Sequence, residues 1–264
     1  MTAHSPVSTG LTVLKLGGEL IDAAEDRART ADAVAALARR GGLVVVHGGG
    51  KAIDAELARR GIEPVKRDGI RVTDAATLDT VVAVLAGTAN TALVAALTAR
   101  GVRAVGLTGA DDGLGLSERV TGMETVSGSM VDPGLVGRPI SSKSTLIADL
   151  VAAGYVPVIA SIGVAGDGTL LNVNADVMAA HVASAAGAAR LLVAGGTKGV
   201  LDAGGMPIDA LDSATLDAML NDGTATAGMI AKLRACRSAR EAGVRDVRIV
   251  DGRARDFAMG TQLT

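Results

Sequence analysis

Two hydrophobic patterns alternate along the chain. Six short runs of Val, Leu, Ile and Ala are almost continuously apolar, which is typical of strands buried on both faces in a parallel sheet. They span residues 11–16, 43–46, 104–107, 156–159, 190–193 and 247–250. Between them, apolar residues recur at helical spacing over about 26–40, 51–60, 77–100, 144–153, 177–186, 214–220 and 229–242. This alternation predicts an α/β protein, a three-layer αβα sandwich around a mainly parallel central sheet.

One stretch interrupts the rhythm. Residues from about 119 to 139 are rich in Gly, Ser, Thr and Val, which indicates a β-hairpin excursion or a lid. The chain contains no internal repeat and no Pro-rich linker. We therefore expect one domain over 1–264, in which an N-terminal lobe of about 1–180 and a C-terminal lobe of about 181–264 share one continuous sheet.

The amino-acid composition excludes several classes of protein. The 264 residues are 48% hydrophobic and carry a net charge of −2, so the chain is too apolar to be disordered. It lacks the excess of Lys and Arg that a nucleic-acid surface needs. Tyr155 and Phe257 are the only aromatic residues, so stacking on bases or sugars cannot be the main mode of recognition. With Cys236 as the single cysteine, the chain can form neither an internal disulfide nor a Cys-based zinc site.

The sequence predicts a cytoplasmic protein that does not enter a membrane. The first ten residues lack the basic and apolar segments of a signal peptide. The most apolar run, residues 78–97, is interrupted by polar residues such as Asp79 and Asn90 before it reaches the length that spans a bilayer.

Candidate chemistry begins at the end of the first predicted strand. Lys15 lies within this buried strand, and Gly17 and Gly18 follow it. A buried lysine is costly unless its ammonium group meets an anion, and glycines let backbone N–H groups approach that anion. A lysine that extends to solvent beside an ordinary turn is an equally good interpretation of this motif alone.

The second predicted strand leads through His47 and three glycines, Gly48 to Gly50, into a helix. Unpaired N–H groups at a helix N-terminus favour phosphate or carboxylate. The spacing matches neither a Walker A loop nor the dinucleotide fingerprint. We interpret His47 as a packing or hydrogen-bonding residue and Lys51 as a solvated lysine at the helix start.

Two further segments place polar side chains where predicted elements meet. Arg71 lies in a glycine-containing loop and could clamp a carboxylate, although a surface salt bridge is the simpler interpretation. Asn172, Asn174 and Asp176 alternate just before a helix, on one side of an extended segment. Helix capping explains one of these three residues, so we favour a binding site here.

The last two segments are glycine-rich loops. Residues 195–202 follow a predicted strand, and residues 223–232 open a helix that carries Lys232 in its first turns. A cation at that end opposes the helix dipole, which is more reasonable if a polyanion binds there. Six such polar or glycine-rich segments at one edge of a sheet predict a ligand site.

Together these segments resemble the amino acid kinase family over nearly the whole chain, and most closely its branch that phosphorylates N-acetyl-L-glutamate. The matching segments are KLGGEL (15–20), VVVHGGGKAID (44–54), DGIRVTD (68–74), LAGTANTALVAAL (85–97), VGLTGADDG (105–113), GYVPVIASIGV (154–164), LNVNAD (171–176), KGVLD (198–202) and TAGMIAK (226–232). The resemblance implies transfer of a phosphoryl group from ATP to a side-chain carboxylate, giving N-acetyl-L-glutamyl 5-phosphate in arginine biosynthesis. It also implies Mg²⁺ that is held mainly by the nucleotide, without a protein metal site.

The resemblance assigns roles to individual residues. Lys15 and Lys232 would flank the transferred phosphoryl group, and Asp176 would hold both ammonium groups. The residues assigned to the amino-acid substrate are Gly49, Gly50, Arg71, Asn172 and Asn174. The residues assigned to ATP, chiefly in the C-terminal lobe, are Gly17, Gly18, Gly196, Thr197, Lys198, Gly199, Val200, Leu201, Thr224, Ala225 and Thr226. A carboxylate is ionised near pH 7, so the reaction needs no general base.

Two departures from the family pattern matter. The chain reads Gly195-Gly196-Thr197 where the family often has an aspartate near the nucleotide. The N-terminal segment 1–10 is short and polar, and the chain ends soon after Asp251-Gly252-Arg253, unlike arginine-inhibited members. We therefore expect a homodimer without arginine feedback, with the helix over 77–100 as the best interface.

Other functions remain open at this stage. The substrate could be N-succinylglutamate, or aminoadipate or glutamate linked to a carrier protein. Arginines at 39, 40, 59 and 60 could dock an acidic carrier, although solvated helix ends explain them equally well. A non-catalytic sensor of amino acids is a third possibility, but a sensor has no need to keep both Lys15 and Lys232.

Overall fold

The computed structural model describes residues 10–264 except 68–69, 125–127, 142–143, 203 and 222–226. The strands are β1 (Thr12–Leu16), β2 (Leu43–His47), β3 (Lys66–Arg67), β4 (Ile70–Arg71), β5 (Ala104–Thr108), β6 (Leu116–Arg119), β7 (Met123–Glu124), β8 (Met130–Val131), β9 (Val136–Ser141), β10 (Val156–Ala160), β11 (Ile162–Val164), β12 (Leu170–Val173), β13 (Arg190–Gly195), β14 (Ala210–Leu211), β15 (Asp246–Asp251) and β16 (Gly260–Leu263). The α-helices are α1 (Ala24–Ala38), α2 (Gly50–Arg59), α3 (Ala75–Val82), α4 (Asn90–Thr98), α5 (Thr145–Ala152), α6 (Ala175–Ala185), α7 (Ser213–Asn221) and α8 (Ala227–Glu241). A 3₁₀ turn spans Gly18–Leu20, and a π-helical turn spans Ala83–Ala89.

The central sheet contains strands from both halves of the chain. Its order is β14-β16-β15-β13-β1-β2-β10-β5, and the pairs are parallel except for β15 with β16. All six predicted strands are present in it. Strands β1, β2, β10 and β13 are buried on both sides, because an apolar run without alternation leaves no polar face for solvent, whereas β15 and the edge strand β5 are partly exposed.

Helices cover both faces of this sheet. Val13 and neighbouring residues of one face belong to the hydrophobic core that α6 and α8 complete. Leu14 and Leu16, on the opposite face, pack in a second core with α1 and α4. The predicted three-layer αβα sandwich around a mainly parallel sheet is therefore confirmed.

A small barrel beside the main sheet was not predicted. Strands β6, β9, β12 and β11 close on one another through two antiparallel and two parallel pairs. The excursion predicted over about 119–139 contains the hairpin β7–β8 and leads into β9. The strands of this barrel are short and partly exposed, so their hydrophobic pattern is weak.

The helix predicted over 77–100 is continuous but not uniform. It comprises α3, the π-helical turn and α4 in sequence. The run Ala75–Thr98 is long and apolar enough to cross a membrane by length and composition alone, and 39% of its 18 most apolar consecutive residues are buried in the fold. Leu93 and Leu97 pack in the second core, as residues of a core helix do.

The carboxyl ends of the parallel strands lie along one edge of the sheet. Gly17 follows β1, Gly48 follows β2, Ser161 follows β10 and Gly196 follows β13. Ligands of open parallel sheets bind outside this edge, and the predicted site residues converge there.

Candidate active site

A buried ion pair lies at the base of the site. Lys15 is on β1 between Val46 and Val193, and it is 5% exposed. Its Nζ lies 2.9 Å from Oδ1 of Asp176, which is 6% exposed and in the first turn of α6. The N-terminal end of a helix favours a negative charge. Because β1 alternates faces, Lys15 points toward α6, and the lysine that extends to solvent is excluded.

Two glycine turns meet beside this pair. Gly18 opens the 3₁₀ turn after β1, and Gly49 precedes α2. A Cβ added at Gly18 would lie 3.0 Å from Gly49 Cα and 3.3 Å from Gly50 N. The two backbones approach this closely because neither residue has a side chain. Their N–H groups can therefore surround one anion.

Arg71 is a buried cation with a donor to spare. Its Nη2 lies 2.6 Å from Asp54 Oδ1 and donates to Gly50 O at 3.2 Å, whereas Nη1 is buried without a hydrogen-bond partner among the described atoms. Desolvation raises the pKa of Asp54, but hydrogen bonds to Lys66 and Arg71 lower it overall, so this carboxylate remains ionised. A buried unpaired guanidinium donor costs free energy unless a ligand accepts from it. The arrangement suits a carboxylate or an acyl oxygen.

The three polar residues before α6 have different tasks. Asn172 Nδ2 donates to Thr73 Oγ1 at 3.1 Å. Asn174 is the N-cap of α6, because its Oδ1 accepts from the N–H groups of Asp176 and Val177. The amide nitrogen of Asn174 therefore remains for a ligand, while its oxygen caps the helix.

These residues line one cavity of about 500 Å³. The predicted site residues in its wall are Lys15, Gly17, Gly18, Gly49, Gly50, Arg71, Asn172, Asn174 and Asp176. The volume is in the range that holds small metabolites. The sequence thus predicted nine residues that the fold brings to a single cleft.

The nucleotide side of the predicted site is less completely described. Thr224, Ala225 and Thr226 lie outside the described residues. Gly196, Thr197, Lys198, Gly199, Val200 and Leu201 follow β13 but are not in the wall of the cavity. Thr197 and Lys198 are exposed, whereas the side chain of Val200 is buried in the core. The backbone of Val200 is engaged as well, since its N–H donates to Thr261 Oγ1 and its C=O accepts from Ile208 N–H.

Lys232 lies near the cleft without lining it. Its Cε would be 3.5 Å from a Cβ added at Gly195, the last residue of β13. Burial raises the pKa of the Cys236 thiol, the Asp176 charge raises it further, and Lys15 and Lys232 lower it. Each of the three charged groups is therefore close enough to this buried sulfur to affect its pKa, so Lys15 and Lys232 do not lie on unrelated surfaces.

Asp176 does not hold both ammonium groups in this structure. Its ion pair among the described residues is with Lys15, and Lys232 Nζ donates to Gly228 O at 3.4 Å. This placement differs from the expected bridge, because Lys232 turns back along its own helix.

Glu19 is a site residue that sequence reasoning missed. It lines the cavity, and its Oε1 accepts from Gly196 N–H at 3.0 Å. A Cβ added at Gly196 would lie 3.6 Å from Glu19 Cγ. The carboxylate of Glu19 thus occupies the space beside Gly196, where the family pattern often places an aspartate. The motif KLGGEL contained this residue, but nothing in its spacing indicated a contact with the distant loop.

His47 and Lys51 behave as interpreted from the sequence. His47 is fully buried and hydrogen-bonded through both ring nitrogens, to Gly48 O and to the side chain of Asn90. Lys51 is exposed at the start of α2. Asn90 is a second residue that the sequence did not mark as part of the site.

The described residues do not form a protein metal site by themselves. Within the described residues, no group of three or more His, Cys, Asp and Glu side chains could hold one. Asp22, near Gly18, has two buried oxygens without a partner, and its pKa is raised by desolvation and then by the Glu19 charge. The Asp22 carboxylate could assist a cation that other ligands already hold.

Comparisons with known proteins agree with this geometry. The family described as the amino acid kinase family matches residues 10–251. The chain is 41% identical to an acetylglutamate kinase of Sphingopyxis alaskensis over 246 residues, which cover 91% of this chain and 82% of that protein. It is 39% identical to an acetylglutamate kinase of Methanopyrus kandleri over 244 residues, covering 91% and 95% of the two chains. The crystal structure of smu.665 from Streptococcus mutans superposes with a TM-score of 0.81 at 26% identity, covering 96% of this chain and 98% of that one.

Proposed function

The chain belongs to the amino acid kinase family, and on that premise we propose that it catalyses the acetylglutamate kinase reaction. ATP transfers its γ-phosphoryl group to the side-chain carboxylate of N-acetyl-L-glutamate, which yields ADP and N-acetyl-L-glutamyl 5-phosphate. The relatives at 41% and 39% identity carry the name of this enzyme and support this assignment. The reaction is a step of arginine biosynthesis.

One observation carries the proposal. A single cavity holds the Lys15–Asp176 pair, two glycine turns and the unpartnered Nη1 of Arg71. The substrate has two carboxylates and an acyl carbonyl. Arg71 and Asn172 suit the α-carboxylate and acyl group, and the glycine N–H groups suit the reacting carboxylate and the phosphoryl oxygens.

The chemistry needs positioning more than acid–base catalysis. A carboxylate oxygen forms the new P–O bond while the bond from the γ-phosphorus to the bridging oxygen of ATP breaks. The displaced electron pair leaves with ADP, and no proton moves. Charge on the transferring group is stabilised by Lys15 and by the N–H groups of Gly18, Gly49 and Gly50. Asp176 fixes the ammonium group of Lys15 at 2.9 Å.

Lys232 and the loop after β13 serve ATP in this proposal. Lys232 lies over the end of β13, next to the strand of Lys15. Rotation of its flexible side chain away from Gly228 O would bring its charge to the phosphates. Mg²⁺, held mainly by the nucleotide, would neutralise phosphate charge, and the Asp22 carboxylate beside Gly18 would assist it.

We also propose a cytoplasmic homodimer without arginine feedback. Strand β5 ends the central sheet and, among the described residues, pairs only with β10. Beside it, the run Ala75–Thr98 is apolar and only partly buried. An unpaired edge and an apolar flank are together suited to a second copy of this chain. Light scattering should give twice the monomer mass, and millimolar arginine should leave activity unchanged.

The test of the function is ADP release with three acceptors. Purified protein, MgATP and N-acetyl-L-glutamate should release ADP, and hydroxylamine should trap the acyl phosphate as a hydroxamate. N-Succinyl-L-glutamate and free L-glutamate are the matched alternatives. Preference for N-succinyl-L-glutamate, or release only with a carrier-linked acceptor, would assign another substrate. Binding without ADP release from any acceptor would indicate a sensor.

A further inference from the structure

The π-helical turn lets the side chains of Leu85 and Asn90 point to the same side of the helix. In an α-helix, residues five apart face about 140° away from each other, because each turn takes 3.6 residues. Here Asn90 N–H donates to Leu85 O, five residues earlier, so this turn is wider. The Leu85 side chain then reaches the glycine turn after β2, and the Asn90 side chain reaches His47, the last residue of β2. Leu85 Cδ2 would lie 2.9 Å from a Cβ added at Gly49, and Asn90 Nδ2 lies 3.0 Å from His47 Nε2.

The contacts of His47 define its tautomer. Asn90 Nδ2 also donates to Val158 O at 2.9 Å, so it is an amide nitrogen and His47 Nε2 must accept from it. The other ring nitrogen, Nδ1, therefore carries the proton and donates to Gly48 O at 3.1 Å. Desolvation lowers the pKa of His47 to about 4, in keeping with a neutral ring.

This hydrogen bond orients the next peptide. The C=O of Gly48 and the N–H of Gly49 belong to the same trans peptide and point in opposite directions. With the C=O turned toward His47, the N–H of Gly49 points away from the ring. Gly49 lines the cavity, and no described protein acceptor takes the N–H of Gly49 or Gly50.

We propose that the π-helical turn Ala83–Ala89 positions the glycine turn Gly48–Gly50 for catalysis, with His47 and Asn90 as positioning residues that aim the Gly49 N–H at an anionic oxygen in the cleft. The inference rests on the proposed function and deepens it. Neither side chain is in the wall of the cavity, so both act through the backbone.

The edge strand β5 completes this arrangement. A Cβ added at Gly106 would lie only 2.1 Å from Asn90 Oδ1. Gly106→Ala should therefore displace Asn90 without touching the cleft. This variant disturbs Asn90 from β5, whereas substitutions of His47 act from β2.

Two substitutions of His47 separate positioning from packing. In His47→Asn, the amide nitrogen reaches the place of Nδ1 and can still donate to Gly48 O. In His47→Gln, the longer amide reaches the place of Nε2 and bonds with Asn90, but it leaves Gly48 O without its donor. We expect His47→Gln to lower kcat about 10- to 100-fold and His47→Asn about threefold or less, since misaiming one donor has a large effect on phosphoryl transfer. Asn90→Ala and Gly106→Ala should lower kcat by about 10-fold, with KM for ATP changed less.

Thermal unfolding of each variant provides the control for folding. A purely structural role would lower the melting temperature of both His47 variants and leave their kcat values equal, which would overturn the proposal. Ring-nitrogen NMR of the wild-type protein gives a readout that needs no activity. We expect His47 protonated at Nδ1, and protonation at Nε2 would also overturn the proposal.

The two proposals fail separately. If the wild-type protein releases no ADP with any acceptor, the proposed function fails. The ATP affinities of His47→Asn and His47→Gln, measured by calorimetry, then decide the positioning role. A weaker affinity for the Gln variant alone supports the role, and equal affinities refute it.

Discussion

Lys15 and Asp176 form an ion pair 2.9 Å long between β1 and α6, with side chains that are 6% and 8% exposed. Both charges have lost nearly all their water. A buried pair of this kind does little for stability by comparison with apolar residues, but removing one partner leaves an uncompensated charge. The presence of this pair is therefore better explained by the reaction than by the fold.

Lys15→Ala should separate the contribution of Lys15 to the reaction from its contribution to stability. We expect kcat to fall at least about 100-fold with KM changed less, because the lysine stabilises charge that develops during transfer. The unfolding free energy should fall by about 3–5 kcal/mol, because Asp176 is left unpaired. Steady-state kinetics and urea unfolding measure the two quantities. In the double variant Lys15→Met, Asp176→Leu, stability should return while activity does not. Near-normal turnover in either variant would contradict the role of Lys15.

Arg71→Lys should weaken binding of the acylated amino acid. Lysine keeps the positive charge, but it lacks the planar guanidinium group that can contact Asp54, Gly50 O and a ligand at the same time. We expect KM for N-acetyl-L-glutamate to rise about 10- to 100-fold, while KM for ATP remains within about twofold. Arg67→Lys, in the exposed strand β3, is the matched control and should behave as wild type. An equal rise in both KM values would show that Arg71 does not bind this substrate.

Acid stability should depend on His47. Its pKa is about 4 in the folded protein and about 6.5 when unfolded, so the unfolded chain binds the extra proton between these values. The contribution of the neutral His47 to the unfolding free energy should therefore be complete above pH 6.5. It should decline by about 3 kcal/mol as the pH falls to 4. Urea unfolding across this range should show a shallower decline in His47→Gln, even if that variant is less stable at pH 7. Equal slopes for His47→Gln and wild type would contradict the burial of a neutral His47.

Glu19→Gln should improve the use of ATP. The Glu19 carboxylate accepts from Gly196 N–H, a donor that the proposal assigns to the nucleotide. A neutral amide is a weaker acceptor than a carboxylate and does not repel phosphates, so we expect KM for ATP to fall about fivefold. Glu25→Gln, at an exposed position of α1, is the control. Assays over a range of Mg²⁺ concentrations check the opposite outcome. A higher KM for ATP that excess Mg²⁺ restores would mean that Glu19 assists the metal instead.

Some elements of the fold could be predicted from the sequence, and others could not. The six long strands were found because nearly every residue in each is apolar, and the helices were located because their spacing is regular over eight or more residues. The π-helical turn was invisible, because adding one residue to a turn barely alters an Ala-rich pattern. The barrel strands were missed because three to six partly exposed residues give no clear period.

The features of the site also divide into those that the sequence indicated and those that it did not. Its glycines and Lys15 could be recognised within single segments, since a charge in an apolar strand and glycines after it are local features. The burial of Arg71 and the bond between Glu19 and Gly196 could not, because each joins segments that are far apart in the chain.

The sequence by itself determined the order of strands and helices, the glycine turns and the residue types available for phosphoryl transfer, because these follow from neighbours along the chain. Only the tertiary structure decided that Lys15 meets Asp176, that Asn90 reaches His47 and that Lys232 turns toward Gly228. Such contacts depend on which strands lie side by side and on how each helix crosses them. That information is distributed over the whole chain and is carried by no single motif.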